Sequence, residues 1–155
     1  FKELNIENNV ISLHIIGRGD ITPYKKSLLG LDNVFIENAW IPESKIEYYF
    51  RDAYLVVLPY IEASQSGVIV TAYASSIPVV VTPVGGLIEQ VIHKKTGLIC
   101  DQVNSESLKN SIYKLITDKK LYDTCKNGSK KYVLQKLTWQ KIAVNFNNVI
   151  NDMLR

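Results

Sequence analysis

Through the first two-thirds of the chain, short apolar runs alternate with segments whose apolar residues recur at helical spacing. Strands and helices taking turns around a parallel sheet produce this alternation. It predicts strands at about 10–16, 33–37, 54–58, 78–82 and 97–100. Ile11, Leu13, His14, Ile15 and Ile16 form a nearly continuous apolar run, as do Tyr54, Leu55, Val56, Val57 and Leu58, the pattern of strands covered on both faces. Between the second and third strands, Ile46, Tyr49, Phe50 and Ala53 recur at helical intervals after Pro42, a residue suited to a helix start.

The segment 67–74 (GVIVTAYA) is rich in β-branched residues and by propensity alone reads as a strand. Only Ser75, Ser76 and Ile77 separate it from the strand at 78–82, which leaves no room for the crossover that two parallel strands require. A buried helix opening within 64–67 resolves the conflict, since burial overrides a small propensity deficit. From Asn104 onward the chain becomes helical and lysine-rich. Leu108, Ile112, Leu115 and Ile116 form one stripe with Asn104 or Ser105 as cap. A second helix follows Asp118. A third begins after Thr138, with a stripe of Ile142, Phe146, Val149, Ile150 and Met153.

The composition is that of a soluble globular domain: 155 residues, 46% hydrophobic and 21% charged, enough for one compact domain over 1–155. The 18 basic and 15 acidic residues are interleaved and leave a net charge of +3, so no basic stripe points to nucleic acid. The C-terminal lysines read as a solvated face. No apolar run reaches the roughly 18 to 20 residues of a bilayer helix, and no signal-peptide pattern opens the chain. The expected location is cytoplasmic, with peripheral association at the inner face of a membrane open to the full-length protein. Cys100 and Cys125, without a CxxC or Cys/His cluster, read as buried thiols rather than a disulfide or zinc site. The sequence opens on Phe1, and a longer parent protein is expected.

Three glycine-containing loops follow strands: one with Gly17, Arg18 and Gly19, one with Gln65, Ser66 and Gly67, and one with Gly85 and Gly86. In an open parallel sheet such loops gather at one edge, where ligands bind, so all three are expected to face one cleft. Helix starts there favour phosphate through their free N–H groups and dipole. A GxGxxG fingerprint and a Walker A sequence are both absent, which removes support for NAD or P-loop chemistry. His14, inside an apolar strand, reads as a core histidine, and His93 as a helix-end residue.

The ordered set LHIIGRGD, LDNVFIENAWIPESKIEYYFRDAYLVVLPYIEASQSGV and AYASSIPVVVTPVGGLIEQVIHKKTGLI resembles the C-terminal, nucleotide-sugar-binding domain of the family 4 (group 1) retaining glycosyltransferases of GT-B fold. The resemblance covers nearly the whole chain. It implies a Rossmann-like α/β domain, a parallel sheet with helices on both faces and a helical C-terminal tail. It further implies a nucleoside-diphosphate sugar as donor, no metal or other cofactor, and an N-terminal acceptor-binding domain as the missing partner. The strand, Gly-Arg loop and Lys-Gly pair that open the family's C-terminal domain have no counterpart here, so the domain is expected to be truncated at its N-terminus.

The family's two glutamates eight positions apart are also altered. Alignment on Ala72, Tyr73 and Ala74 places Thr71 at the second and Ala63 at the first, with Glu62 one residue away. The resemblance therefore gives Glu62 as the candidate catalytic residue. The donor-binding candidates are Gly17, Arg18, Gly19, Ala39, Trp40, Ile41, Gln65, Ser66, Gly67, Thr71, Gly85, Gly86 and Glu89. Ala39, Trp40 and Ile41 would lie near the nucleobase, and Thr71 near the ribose. Other readings stay open: Glu62 as a solvated loop acid, Glu89 as a first-turn acid favoured by the helix dipole, Trp40 as packing at a helix start. For the whole chain, the alternative is a noncatalytic α/β nucleotide-binding or interaction module. A receiver-like module would need an aspartate at the end of the strand at 54–58, where Pro59 and Tyr60 stand.

Overall fold

The structure is a computed structural model that describes residue 4 and residues 11–28, 30–31 and 33–154. The chain divides into two compact units, Phe1–Asp52 and Ala53–Arg155, each built on parallel strands.

In the first unit, β1 (Leu13–Ile16) pairs in parallel with β2 (Val34–Glu37), Leu13 opposite Val34 and Ile16 opposite Glu37. The portion of the first predicted strand at residue 10 lies outside the described residues. A 3-10 turn, Thr22–Tyr24, runs into the short helix α1 (Lys25–Leu28). Helix α2 (Glu43–Arg51) starts behind Pro42, which sits in extended conformation as the cap and accepts the Lys45 N–H at 2.9 Å. The helix ends before Ala53. His14 is exposed, and its ring stacks on Phe35 across the two strands at 4.9 Å. It is therefore not the core histidine that its apolar neighbours predict: that face of β1 is uncovered among the described residues.

The second unit holds β3 (Val56–Leu58), β4 (Val79–Val81) and β5 (Gly97–Ile99), all parallel, with β4 in the middle. The expected five strands are present, but among the described residues their hydrogen bonds form a two-stranded and a three-stranded ladder rather than one. The class is as expected: parallel sheets, helices on both sides and a helical tail. The disputed segment is helix α3 (Gly67–Ala74). It stops because Ser76 turns into a positive φ of 59° while Ser75, Ser76 and Ile77 donate back to Thr71, Tyr73 and Ala72, a C-terminal closure that satisfies the last carbonyls. Helix α4 (Leu87–Gln90) follows β4.

Helices α5 (Ser105–Thr117), α6 (Lys119–Lys136) and α7 (Trp139–Met153) complete the chain. Asn104 caps α5 by accepting the Ser107 N–H, and Asp118 caps α6 by accepting that of Leu121; each such cap stabilises by about 1 kcal/mol. Helix α5 lies against β4 and β5, and α6 against β5 and α3. Their inner faces close a cluster of Val80, Leu98, Cys100, Leu115, Tyr122 and Cys125. Both cysteines are free and buried, and burial raises both thiol pKa values, that of Cys125 to about 11. Tyr54 stacks on Tyr122 at 4.0 Å, and the Tyr122 hydroxyl donates to the Tyr54 carbonyl. The predicted stripe of α7 is present but exposed, Phe146 and Met153 included. No described helix is long and apolar enough to cross a membrane.

Candidate functional site

In the second unit, the loop after β3 and the loop after β4 interlock. The Gly86 N–H donates to the Ala63 carbonyl at 3.2 Å. A Cβ on Gly85 would fall 1.8 Å from the Ala63 oxygen, and one on Gly86 2.0 Å from the Ser64 oxygen. Any larger residue would thus force the two loops apart, and Gly85 also takes a positive φ of 44°, which favours glycine. The sequence therefore supplies two glycines where backbone meets backbone. Behind them, the Thr82 hydroxyl donates to the Tyr60 carbonyl and secures the end of β3 to β4.

Gln90 adds a second fastening. Its side-chain Oε1 accepts the Ser66 N–H at 2.8 Å, and its Nε2 donates to the Ser66 carbonyl at 3.1 Å. Ser66 is buried and extended at the head of α3, and its hydroxyl makes no capping bond. The first-turn N–H groups of α3 thus have neither an intrahelical partner nor a Ser66 cap. Gly67 is exposed there, and apart from its chain neighbours and its own helix backbone no atom lies within 4 Å of where its Cβ would stand. The backbone N–H groups of Ser66 and Gly86 are already engaged within the protein, so any anion at this edge meets the N–H groups from Gly67 onward. Thr71 donates its hydroxyl proton to the Gly67 carbonyl at 3.1 Å, which leaves its oxygen as an acceptor. Gln65, Glu62 and Glu89 are exposed, Glu89 in the first turn of α4.

The first unit contains a matching device. Gly17 ends β1 with a φ of 138°, and its N–H donates to the Glu37 carbonyl at 3.1 Å. Asn38 then grips Gly19 from both sides: its Oδ1 accepts the Gly19 N–H and its Nδ2 donates to the Gly19 carbonyl, each at 2.9 Å. That grip brings the loop bearing Gly17, Arg18 and Gly19 beside the one bearing Ala39, Trp40 and Ile41. Arg18 is exposed, and Trp40 is 80% exposed. Nearby, the Tyr49 hydroxyl donates to the Glu37 carboxylate, which pushes the phenol up to about 12, and Lys45 stands 3.7 Å from the same carboxylate. The hydrophobic pattern does not single out Asn38 or Gln90. The only available signal is a primary amide placed just after a strand end or a glycine pair.

The family model of the group 1 glycosyl transferases matches residues 1–118, and the chain belongs to that family. An uncharacterized glycosyltransferase of Methanocaldococcus jannaschii is 28% identical over 147 residues, which are 93% of this chain and 38% of the relative. The capsular polysaccharide biosynthesis glycosyltransferase CapM of Staphylococcus aureus is 27% identical over 69% of this chain and 28% of its own length. The chain thus spans well under half the length of these curated relatives. Among solved structures, the C-terminal domain of the group 1 glycosyl transferase LpcC from Francisella tularensis matches with a TM-score of 0.71 at 20% identity, covering 83% of this chain and 70% of that one. HepE of Anabaena in complex with UDP matches with a TM-score of 0.72 at 23% identity, covering 93% and 40%. At these identities the two structures establish the fold: that of the C-terminal half of a GT-B glycosyltransferase.

Proposed function

We propose that this chain is the donor-binding half of a retaining glycosyltransferase that moves a sugar from a nucleoside-diphosphate sugar to an acceptor hydroxyl in glycan synthesis of the lipopolysaccharide or capsule type. The observation that carries the reading is the head of α3. An exposed Gly67 with open space above it, uncapped first-turn N–H groups and the helix dipole together form an edge suited to a diphosphate, in a chain of glycosyltransferase family. HepE, which shares this fold, binds UDP, and UDP is accordingly the first probe. In this reading the diphosphate leaves as charge develops on it, and fixed backbone N–H groups stabilise that charge without a metal or other cofactor. Thr71 Oγ1 accepts from a ribose hydroxyl, and Glu89 with Gln65 borders the sugar. Glu62 is the acid nearest the altered family position. The acceptor half is supplied by the longer protein, so this chain alone is silent in transfer.

Backbone amide resonances of the 155-residue chain, followed during titration with UDP and GDP, test the reading. Shifts at 64–67 and 85–89, with quiet resonances in α5, α6 and α7, are expected. Shifts confined to the lysine-rich helices would place the ligand elsewhere and end the assignment. Turnover of a nucleotide sugar by the isolated chain that persisted through further purification would contradict its silence.

A further inference from the structure

We infer that Gln90 is a positioning residue for the donor: its side chain holds Ser66 so that the N–H groups opening α3 face the diphosphate. The inference rests on the donor-binding reading above and adds a residue that the resemblance does not supply. Ser66 is extended, with φ −138° and ψ 120°, the backbone of a strand. A strand residue presents its N–H and carbonyl for pairing with a neighbour. The carboxamide of Gln90 fills both needs at 2.8 and 3.1 Å and acts as a one-residue neighbouring strand. No carboxylate, hydroxyl or apolar side chain of the same reach can do this, because the task requires an acceptor and a donor side by side.

Gln90 is itself fixed at two further points. Its N–H donates to the Gly86 carbonyl at 3.2 Å, tying it to the glycine loop. Its carbonyl accepts the hydroxyl of Tyr73 at 3.3 Å, from the far end of α3. The side chain therefore reaches the first residue before α3 from a backbone that the last turn of α3 also holds. This closed loop fixes the direction of the helix head relative to 85–90. Such pre-arrangement lowers the ordering cost of binding. It also explains why the Ser66 N–H, engaged by Gln90, is an anchor for the site rather than a ligand contact.

The test uses the 155-residue chain and UDP. Gln90→Met keeps the length and removes both hydrogen-bonding groups. The Ser66 amide is expected to exchange with solvent about tenfold faster, while Val80 and Leu98 in the sheet exchange as in the parent. The apparent Kd for UDP, read from the Gly67, Val68 and Ile69 amides, is expected to rise about five- to tenfold, the equivalent of one neutral hydrogen bond. Gln90→Glu keeps an acceptor for the Ser66 N–H but loses the donor to its carbonyl, so Ser66 exchange is expected to fall between that of the parent and that of Gln90→Met, a graded response that a merely space-filling role would not produce. Should Gln90→Met not fold, Gln90→Asn, whose shorter arm cannot span both bonds, replaces it. Parental UDP affinity in the folded variant, or a Ser66 amide still protected there, overturns the role of Gln90 alone. No response of the parent loops to UDP overturns the donor reading and this proposal with it.

Discussion

The Tyr73 hydroxyl lies 2.6 Å from Oγ1 of Thr96, and this buried pair links α3 to the segment leading into β5. Thr96 Oγ1 also accepts the Ile92 N–H at 3.0 Å, and Tyr73 donates to the Gln90 carbonyl. One orientation satisfies every group: Ile92 N–H to Thr96, the Thr96 proton to Tyr73, the Tyr73 proton to Gln90. Burial holds the Tyr73 phenol well above its usual pKa, so it remains the donor through physiological pH.

Replacing Tyr73 by Phe leaves the Thr96 hydroxyl without its acceptor in a site that is 1% exposed. A loss of about 1–3 kcal/mol is expected, measured by urea unfolding followed by far-UV circular dichroism. An unchanged midpoint would show that the chain of bonds carries no stability.

The glycines of the two interlocked loops separate folding from binding. Gly67→Val places its side chain in open space, so stability should stay within about 0.5 kcal/mol of the parent while the UDP-induced amide shifts disappear. Gly86→Ala drives a Cβ to within 2.0 Å of the Ser64 oxygen and should cost about 1–3 kcal/mol. A Gly67→Val chain that binds UDP like the parent would move the site away from α3.

Histidine 93 makes stability depend on pH. Burial, followed by the charges of Lys94 and Lys114, lowers its pKa below the ordinary 6.5, and its Nδ1 accepts the Ile99 N–H at 3.0 Å, which requires that nitrogen unprotonated. A depressed folded-state pKa means that the unfolded chain binds the proton first. The contribution is therefore complete above about pH 6.5 and is lost as pH falls through the folded value. Thermal melts at about pH 7.5 and 5.5 should show a larger fall for the parent than for His93→Asn, which keeps an acceptor without titrating. Equal falls would remove His93 from the account.

Gly128 tests a seat in the middle of α6. In an exposed helix, Gly→Ala stabilises by about 1 kcal/mol, but here the new Cβ would meet the Lys95 carbonyl oxygen at 1.7 Å. The Lys94–Lys95 turn, with Lys94 at φ 61°, packs against that bare backbone. Gly128→Ala should therefore destabilise by about 1–3 kcal/mol in the same urea assay, and a gain would show that the turn yields freely.

Much of this architecture is legible in the sequence because it is local. The β-branched α3 could be read as a helix from chain length alone, since Ser75, Ser76 and Ile77 cannot span a crossover, and Asn104 and Asp118 announce their helices by capping. What was not legible depends on distant partners. Period and hydropathy indicate that residues 11–16 are apolar but not which neighbour covers them, so the exposure of His14 against Phe35 went unforeseen. The division of the strands into two ladders is likewise a matter of register between segments. Gln90 and Asn38 escape because a carboxamide that grips backbone 24 or 19 residues away leaves no periodic trace. Thr71, chosen for its alignment with a glutamate, spends its proton on its own helix, a bond that follows from helical geometry once α3 is known.

The two sealed thiols give the second unit a built-in chemical clock. Cys100 and Cys125 are 2% and 0% exposed, and an alkylating reagent attacks only a thiolate it can reach. The cluster around them includes the centres of β4 and β5 and the inner faces of α5 and α6, so labelling of either sulfur reports the parting of those layers rather than motion of a loop. The modification rate of each residue, resolved by mass spectrometry, would time the opening of helix from sheet in unaltered protein, and a nucleotide that binds the closed form would slow both labels together.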